Sequence, residues 1–276
     1  MSLYRDKAFF RAVGRAIHQY QLIEDNDRIA VGLSGGKDSL TLMWALQERL
    51  PRIPIQYSLH PIYIDLGFEG DQSHRIEDYC KSVGYPLRLE HTDYGLKAHS
   101  EENLENPCFL CARLRRKRLF ELADELGCNK LALGHHMDDI IETLFLSMCY
   151  SGQISTMVPY QPFFKGKLTV IRPLAFLDEQ KIQRFSRDHG IPQIDNPCPT
   201  AKTSKRSEIK KLLNSLYKTN KKIKGNLFRS MSHVNLDYLL TPRLEPKNQN
   251  PDPAPQDEAA GRPHSDLWIK KGTAEE

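Results

Sequence analysis

The stretch Arg28-Ile29-Ala30-Val31-Gly32-Leu33-Ser34-Gly35-Gly36-Lys37-Asp38-Ser39 carries the clearest structural signal in the chain. Its apolar first half is typical of a short buried strand, and its second half is a glycine-rich turn that opens a helix. Adjacent glycines let a backbone turn tightly and approach a ligand closely. Because amides at a helix N-terminus favour an anion and Lys37 adds positive charge, we predict that residues 34–39 bind phosphate.

The polar side chains of this turn narrow the prediction. Ser34 and Ser39 add hydroxyl donors. Asp38 would repel a bare phosphate, so it is expected either to cap the helix or to hold Mg²⁺. The spacing differs from that of the phosphate loop G-x-x-x-x-G-K. An ordinary strand–turn–helix is the alternative, and the full string S-G-G-x-D-S in this context argues against it.

Strands and helices alternate on both sides of this turn. The alternation predicts an α/β fold with a parallel twisted sheet and helices on both of its faces, followed by a small helical C-terminal extension. A polar loop is predicted at 101–107. Strands are predicted at 28–33, 57–65, 86–90, 130–133 and 169–171, and helices at 4–23, 40–50, 73–83, 112–126, 138–149, 178–189 and 207–216.

Composition divides the chain into four segments. An N-terminal helix is expected in residues 1–24 and the α/β domain in residues 25–200. A basic helical extension is predicted for residues 201–240. Residues 241–276 are dominated by Pro, Asn, Gln, Asp and Glu, a composition that predicts a disordered tail.

Charge and hydropathy exclude several classes of protein. The 276 residues contain 39 Lys and Arg against 35 Asp and Glu, a net charge of +4 that excludes a uniformly basic coat but allows a local basic patch. No apolar run approaches the roughly 18 residues of a membrane span, and the N-terminus lacks a secretory signal. Six cysteines are too few for a disulfide scaffold. We therefore expect a cytoplasmic protein, without a membrane partner, whose thiols are reduced, catalytic or metal-bound.

Three cysteines stand apart from the rest. Cys108 and Cys111 form a C-x-x-C that follows Asn-Pro and opens a helix, and Cys198 follows a second Asn-Pro on a predicted loop. Three thiolates suit a [4Fe–4S] cluster with one iron free of protein ligands, or a zinc site completed by a histidine, and a redox-active C-x-x-C is a third option. Spacing does not choose between zinc and iron–sulfur. The remaining cysteines have apolar neighbours and are interpreted as packing residues: Cys80, Cys128 and Cys149.

Carboxylates and a glycine follow two other predicted strands. Asp138 and Asp139 open a helix just after a strand, where a carboxylate either binds Mg²⁺ or caps the helix. Gly134 and His135 would let the backbone approach a nucleotide, although His135 is equally well explained as a structural histidine. Asp65 ends the strand 57–65, where open α/β sheets place ligand contacts, and a turn-initiating role is the alternative.

Two basic stretches are candidate contacts for nucleic-acid phosphates. Residues 113–118 carry five Arg and Lys in one short helix, and Arg115 is the residue expected to reach the active site. Between Lys205 and Arg229 there are nine Lys and Arg but one acid, Glu208. This stretch is predicted to bind an RNA backbone, and a merely solvated basic helix is the alternative.

The string S-G-G-x-D-S resembles the PP-loop of the ATP pyrophosphatase family. That resemblance implies a PP-loop fold, which is HUP-like and Rossmann-like, and an enzyme that binds ATP at residues 34–39. It also implies that AMP is transferred to a carbonyl-like oxygen of the substrate while pyrophosphate is released.

Further strings are similar to the TtcA-like tRNA 2-thiocytidine synthetases. They are C-F-L-C-A-R-L-R-R from Cys108, G-H-H-M-D-D from Gly134, I-R-P-L-A from Ile171, and Pro-Cys at Cys198. The match runs from about residue 11 to about residue 198. It implies that Cys108, Cys111 and Cys198 hold a [4Fe–4S] cluster and that Asp139 is a catalytic or metal-linked carboxylate.

The same resemblance implies an activity and its partners. A tRNA pyrimidine, with cytidine 32 as the expected position, would be adenylated at its C2 oxygen with ATP and Mg²⁺ and then receive sulfur. A cysteine desulfurase or free sulfide would donate the sulfur, and the protein would form a homodimer. Two alternatives are another PP-loop enzyme, such as a lysidine-type ligase or a thiolase of a different base or small molecule, and a non-catalytic metal-containing RNA-binding protein.

Two features depart from related sequences. Cys198 is followed by Pro-Thr-Ala, so the second cysteine that TtcA-like enzymes carry nearby is missing. Three ligands suffice for the cluster, but no relay thiol is expected there. The extra zinc-binding C-x-x-C pairs of the thiolases that act on uridine 54 are also missing, which argues against that branch.

Overall fold

A computed structural model describes residues 2–69, 73–194, 197–200 and 204–240, and within these ranges six strands form one sheet. The strand order is β3-β2-β1-β4-β6-β5. All neighbours are parallel except β5, which pairs antiparallel with β6 at the edge. The strands are β1 (Asp27–Leu33), β2 (Tyr57–Asp65), β3 (Arg88–His91), β4 (Lys130–Leu133), β5 (Tyr160–Phe163) and β6 (Leu168–Ile171).

In the described ranges five helices lie between strands, one precedes β1 and three follow β6. Short 3₁₀ turns lie at Leu50–Arg52, Phe164–Gly166 and Leu236–Tyr238. Each helix in these ranges falls short of the length or the apolar character needed to cross a membrane. The helices are α1 (Ser2–Gln19), α2 (Lys37–Arg49), α3 (Ser73–Ser82), α4 (Tyr94–Ala98), α5 (Pro107–Glu125), α6 (Met137–Ser151), α7 (Glu179–Asp188), α8 (Lys205–Thr219) and α9 (Ile223–Ser230).

The two faces of the sheet are covered by different helices, as the alternation predicted. α5 packs against β2 and β4 over an apolar cluster that includes Ala30 and Leu131. Strand alternation turns Ile29 and Val31 to the opposite side, and both are fully buried. α1, α2 and α7 pack together, with the rings of Phe9 and Phe185 stacked 3.8 Å apart. The α/β fold with a largely parallel sheet is confirmed.

The helix α5 begins earlier than the sequence analysis predicted. The prediction started this helix at residue 112, whereas it begins at Pro107. The Asn106 side chain accepts hydrogen bonds from the amides of Cys108 and Phe109, and proline suits the first helical position because it lacks an amide hydrogen. Cys108 and Cys111 therefore lie within the first turns of a capped helix.

Three short elements were not predicted. β5 contains Pro162, which is compatible with an edge strand, and it is only four residues long. α4 is five residues long and lies in the stretch between β3 and the predicted loop. α9 lies within the predicted basic helical extension, 201–240, but no separate helix was predicted for its residues. Each lacks the long periodic pattern on which the other predictions depended.

The strand order reverses between β1 and β4, which creates the crevice in which open parallel sheets bind ligands. The loop 34–39 leaves β1 at this point, and Gly134 leaves β4 beside it. A Cβ atom on Gly134 would lie 2.9 Å from the amide nitrogen of Ser39, so only glycine allows this approach. Gly35 has a φ of +77° at the turn itself.

The chain forms two compact units, Met1–Thr219 and Asn220–Glu276. α1 and α8 thus belong to the same unit as the sheet, whereas the sequence analysis assigned them to separate segments, 1–24 and 201–240. The predicted segment boundaries remain predictions. The predicted tail, residues 241–276, lies outside the described residues.

Replacing Gly134 by alanine should destabilise the protein. We expect a loss of about 2 kcal/mol in the free energy of unfolding, because the new methyl group would overlap the backbone of α2. Urea unfolding followed by circular dichroism measures this loss. Gly225→Ala is the matched control, since a Cβ there meets no atom within 4 Å. Equal stability of the two variants would contradict the close contact.

Candidate ATP and thiol site

The loop 34–39 closes on itself and leaves the start of α2 open. The Ser34 amide donates to Ser39 Oγ at 3.0 Å, and Ser39 Oγ donates to the Gly36 carbonyl at 3.0 Å. Gly36 occupies the capping position before α2 and has no side chain with which to cap it. The expectation that Asp38 caps this helix is wrong, because Asp38 lies inside its first turn. Free amides at a helix N-terminus form a site for an anion.

Lys37 is held in place by carboxylates from two elements. Its Nζ lies 3.2 Å from Asp38 Oδ2 and 3.3 Å from Glu179 Oε1. The other oxygen of Glu179 lies 2.8 Å from Lys210 Nζ of α8. Burial opposes ionisation of Glu179, but the hydrogen bond and charge of Lys210, together with Lys37, lower its pKa to about 2. Glu179 is therefore a fixed negative charge between two ammonium groups.

Asp38 carries an oxygen that nothing in the described part of the chain satisfies. Its Oδ1 is buried and has no hydrogen-bond partner. Burial raises the pKa of Asp38, while His136 and Lys37 lower it in part. His136 Nε2 lies 3.9 Å from Asp38 Oδ1 and 3.4 Å from Asp139 Oδ2, so the two carboxylates face the same imidazole. A buried, unsatisfied carboxylate oxygen is suited to a hard cation.

Asp138 and Asp139 have different roles at the start of α6. Asp139 Oδ2 accepts from the amide of His136, the capping residue, at 2.9 Å. Asp138 does not cap α6, because its Oδ2 accepts from the Glu179 amide of α7 at 2.8 Å. Burial opposes ionisation of Asp139, but the charge of His136 leads the effects that lower its pKa. Asp139 is therefore ionised at neutral pH, as a metal-linked or catalytic carboxylate requires.

Arg206 of α8 also reaches this region. Its Nη1 lies 3.3 Å from Asp139 Oδ1 and 3.1 Å from Glu142 Oε2. Arg206 and Lys210 are one helical turn apart, so the same face of α8 neutralises acids of α6 and α7. The predicted basic stretch therefore includes cations that bind the protein's own acids.

The three predicted cysteine ligands are neighbours in the folded chain. Cys108 Sγ lies 3.4 Å and Cys198 Sγ 3.5 Å from the same hydroxyl oxygen of Thr200. Burial raises the pKa of the Cys111 thiol, Arg115 lowers it, and the charges of Cys198 and Cys108 raise it further. In the described ranges no three His, Cys, Asp or Glu side chains are arranged to hold a single metal ion.

The other cysteines have the environments expected of packing residues. Cys80 and Cys128 are buried, and burial raises the pKa of each thiol to about 11. Cys149 is exposed near the end of α6. None of the six cysteines forms a disulfide.

Asp65 and His135 have local roles. Asp65 Oδ1 accepts a hydrogen bond from the Gly67 amide at 2.8 Å, which is the contact expected of the turn-initiating role. Its Oδ2 lies 2.9 Å from His91 Nδ1. Burial, followed by the charge of Arg172, holds the pKa of His135 far below its usual value, so this imidazole is neutral. Contact of either residue with a nucleotide remains a prediction.

Sequence reasoning missed several residues of the site. Glu179, Lys210 and Arg206 lie far along the chain from the acids and lysine that they contact, and no spacing signals these pairs. Thr200 lies two residues after Cys198, and the sequence analysis assigned it no role at the site. Arg172 belongs to the string I-R-P-L-A, and the sequence analysis assigned it no role. Its position directly after β6 could have indicated a site residue, because ligands bind at the ends of parallel strands.

Comparisons with known proteins agree with this geometry. A family model described as a PP-loop domain matches residues 8–216. The chain is similar to the tRNA-cytidine(32) 2-sulfurtransferase of Geobacter sulfurreducens, with 41% identity over 244 residues, 87% of this chain and 95% of the relative. The same enzyme of Geotalea uraniireducens is 41% identical over 251 residues, 89% of this chain and 100% of the relative.

One solved structure shares the fold across most of the chain. It is the U34-tRNA thiolase NcsA from Methanococcus maripaludis with its [4Fe-4S] cluster, which superposes with a TM-score of 0.69. The two sequences are 26% identical, and the match covers 83% of this chain and 78% of the thiolase chain.

Glu179→Gln should weaken the protein in a pH-dependent way. Because the folded-state pKa of Glu179 is lowered from 4.5 to about 2, the wild-type carboxylate stabilises the fold fully above about pH 4.5. This advantage over Glu179→Gln should disappear as the pH falls toward about 2. Urea midpoints of both proteins across this range measure it.

The matched control is Glu77→Gln, which removes an exposed ion pair with Lys81. It should change the urea midpoint little at any pH, because exposed pairs contribute little. A pH-independent difference between wild type and Glu179→Gln would show that the Lys37–Glu179–Lys210 bridge does not act as described.

Proposed function

The chain belongs to the PP-loop family and, within it, to the tRNA-cytidine(32) 2-sulfurtransferases, and we propose that it replaces the C2 oxygen of cytidine 32 in tRNA with sulfur at the expense of ATP. The observation that supports this most directly is the presence in one structural unit of an uncapped loop–helix junction with its lysine and of two thiols, those of Cys108 and Cys198, that contact the same Thr200 hydroxyl. The first suits adenylation, and the second suits delivery of sulfur.

Residues 34–39 would hold the pyrophosphate portion of ATP. The free amides at the start of α2, Lys37 Nζ and the Ser34 hydroxyl are donors, while the Ser39 hydroxyl already donates to the Gly36 carbonyl. The C2 oxygen of the base attacks the α-phosphorus, the bond from that phosphorus to the pyrophosphate oxygen breaks, and pyrophosphate leaves. Because negative charge grows on the leaving group, donors already in position lower the barrier.

Mg²⁺ is the metal proposed for this step, with Asp38 as its first candidate ligand. The buried Oδ1 of Asp38 has no partner within the described residues, and Asp139 is ionised and faces the same side of His136. Carboxylate oxygens are the protein ligands that Mg²⁺ prefers beside phosphates. Bound there, the ion would offset the charge that gathers on the phosphates.

Adenylation turns the C2 oxygen into a good leaving group. Sulfur at the oxidation level of sulfide attacks C2, the C–O bond breaks, and AMP departs with the former C2 oxygen. Bonds and electrons balance without an oxidant or reductant. A base must leave its stack to be reached in this way, which suits an unpaired nucleotide in an anticodon loop.

Cys108, Cys111 and Cys198 are the residues that would hold a [4Fe–4S] cluster. The donor set fits, because thiolates are the protein ligands of such clusters, Cys108 and Cys111 share the first turns of α5, and Cys198 Sγ contacts the same Thr200 hydroxyl as Cys108 Sγ. When bound, the cluster would supply an iron free of protein ligands to which the sulfur for transfer is attached.

Two finer parts of the proposal depend on the family resemblance alone: a cysteine desulfurase or free sulfide as sulfur source, and a homodimer. Action in the cytoplasm is a third part, which depends on the sequence analysis. The nine cations between Lys205 and Arg229 support tRNA binding in general terms, although Arg206 and Lys210 are engaged by acids.

Lys37→Ala should slow release of pyrophosphate from ATP in the presence of tRNA by about 100-fold, because it removes a charge that stabilises the leaving group. Anaerobic assays with labelled ATP measure the release. Lys181→Ala is the control, since that lysine is exposed and pairs only with Asp178 among the described residues. If the wild type releases no pyrophosphate, the alternative of a non-catalytic RNA-binding protein is favoured.

Cys108→Ala should abolish thionucleoside formation and lower the iron bound per chain, while pyrophosphate release continues. The reason is that adenylation depends on the loop 34–39 and sulfur delivery depends on the thiols. Mass spectrometry of digested tRNA, with iron and sulfide analysis, measures both outcomes.

The exposed thiol that lies apart from this trio provides the control, Cys149→Ala, which should retain iron and activity. A PP-loop enzyme of another kind would form its product regardless of Cys108. An unchanged product in Cys108→Ala would therefore overturn the proposed route of sulfur.

A further inference from the structure

The basic residues of α5 divide into two groups. Arg113 pairs with Glu105, Lys117 with Glu121, and Arg118 with three glutamates. Arg115 and Arg116 form no ion pair or hydrogen bond with any residue in the described ranges. Glutamates around α5 thus neutralise three of its five cations. Arg115 and Arg116 are left without an ion-pair partner among the described residues.

Arg172 is a third guanidinium without a carboxylate partner. It is only 7% exposed, and it follows β6 directly. Its hydrogen bonds run to neutral acceptors, the Val158 carbonyl and Gln161 Oε1, and its Nε is buried with no partner within the described residues. The charge of Asp139 acts on Arg172 without forming an ion pair with it. Burying a charge without a hydrogen-bonded counter-charge is unfavourable, so this arrangement suits an anion.

The charges of these three arginines act on one another. Burial, followed by the charge of Arg116, lowers the pKa of Arg172 to about 10, while the charge of Asp139 raises it in part. Local desolvation, followed by the charge of Arg115, lowers the pKa of Arg116, although Arg116 is exposed at the surface. The positive charges oppose one another, and no acid of the described chain lies among them as a hydrogen-bonded partner.

The cluster lies between the two halves of the candidate site. Arg115 is one turn beyond Cys111 on the same face of α5, and its charge acts on both Cys111 and His135. Ala132 of β4 pairs with Ile171 of β6, so His135 and Arg172 leave adjacent strands at the same edge. His135 is neutral there, and its buried Nδ1 has no hydrogen-bond partner in the described ranges.

We propose that Arg115, Arg116 and Arg172 form a second phosphate-binding site, separate from the loop 34–39, that holds a phosphate of the reacting nucleotide between that loop and the cysteines. Guanidinium groups suit phosphate because their donors match its oxygens in pairs. The unpartnered Nε of Arg172 and Nδ1 of His135 are free to contact such a group.

This site rests on the proposed function for its ligand. Two phosphates would reach this position in the reaction: the α-phosphate of the adenylate, and the backbone phosphodiester beside the target base. Both offer the same chemistry to the arginines. Holding either one would fix the base relative to the sulfur while it is transferred.

Equilibrium binding tests the site without requiring turnover. AMP and an anticodon stem-loop RNA are the two probes, measured by calorimetry and by fluorescence anisotropy with the full-length protein. Inorganic pyrophosphate, which the loop 34–39 should bind, reports on the integrity of that loop. The test variants are Arg115→Gln, Arg116→Gln and Arg172→Gln, and the matched controls on the same helix are Arg113→Gln and Lys117→Gln.

We expect the test variants to weaken one probe by about tenfold, the loss typical of one charged hydrogen bond, while pyrophosphate binding is unchanged. Loss of AMP binding alone assigns the site to the adenylate. Loss of RNA binding, with the salt dependence reduced by about one ion per arginine, assigns it to the RNA backbone.

Equal affinities of test and control variants for both probes would overturn the proposal. If Arg172→Gln does not fold, as its circular dichroism would show, the Arg115 and Arg116 variants alone decide the outcome. Failure of the proposed function is a separate result, because it would appear as absent thionucleoside in wild-type protein whether or not these arginines bind phosphate.

Discussion

The parallel pairing of β1 with β4 at the centre of the sheet is the constraint that organises the molecule. Because the strand order reverses there, the segments that leave β1 and β4 flank one crevice. The missing side chain of Gly134 lets the second segment approach the first turn of α2 within van der Waals distance. The acids of residues 138–139 are consequently delivered beside the free amides of the loop 34–39.

Charge is distributed unevenly around this crevice. On one side, Arg206 and Lys210 of α8 neutralise Asp139 and Glu179, so the acids beside the loop are balanced within the chain. On the other side, Arg115 and Arg172 have no carboxylate partner among the described residues. The first arrangement holds Lys37 and the acids Asp139 and Glu179 in position, and the second is the basis of the proposed phosphate site.

The thiols adjoin this second side. Asn106 caps α5 and thereby sets Cys108 and Cys111 in its first turns, while Cys198 reaches them from a loop through Thr200. Two segments separated widely in sequence thus supply one donor set. A sulfur source here and an adenylating loop across the crevice are the two requirements of a thiolation that proceeds through an adenylate.

The sequence alone determined the strands β2 and β4, which have the predicted bounds because each depends on local spacing. The phosphate-binding role of the loop 34–39 and the ligand role of the three cysteines stay predictions. The edge strand β5 was missed because a neighbouring strand, rather than periodicity, stabilises it. The start of α5 was missed although its signal is local, since Asn106 caps the helix through the amides of Cys108 and Phe109. The pairs Lys37–Glu179 and Asp139–Arg206, and the burial of Arg172 without an ion-pair partner among the described residues, depend on the folded chain. Charges interact through space, and residues far apart along the chain become partners only after the sheet and α8 bring them together.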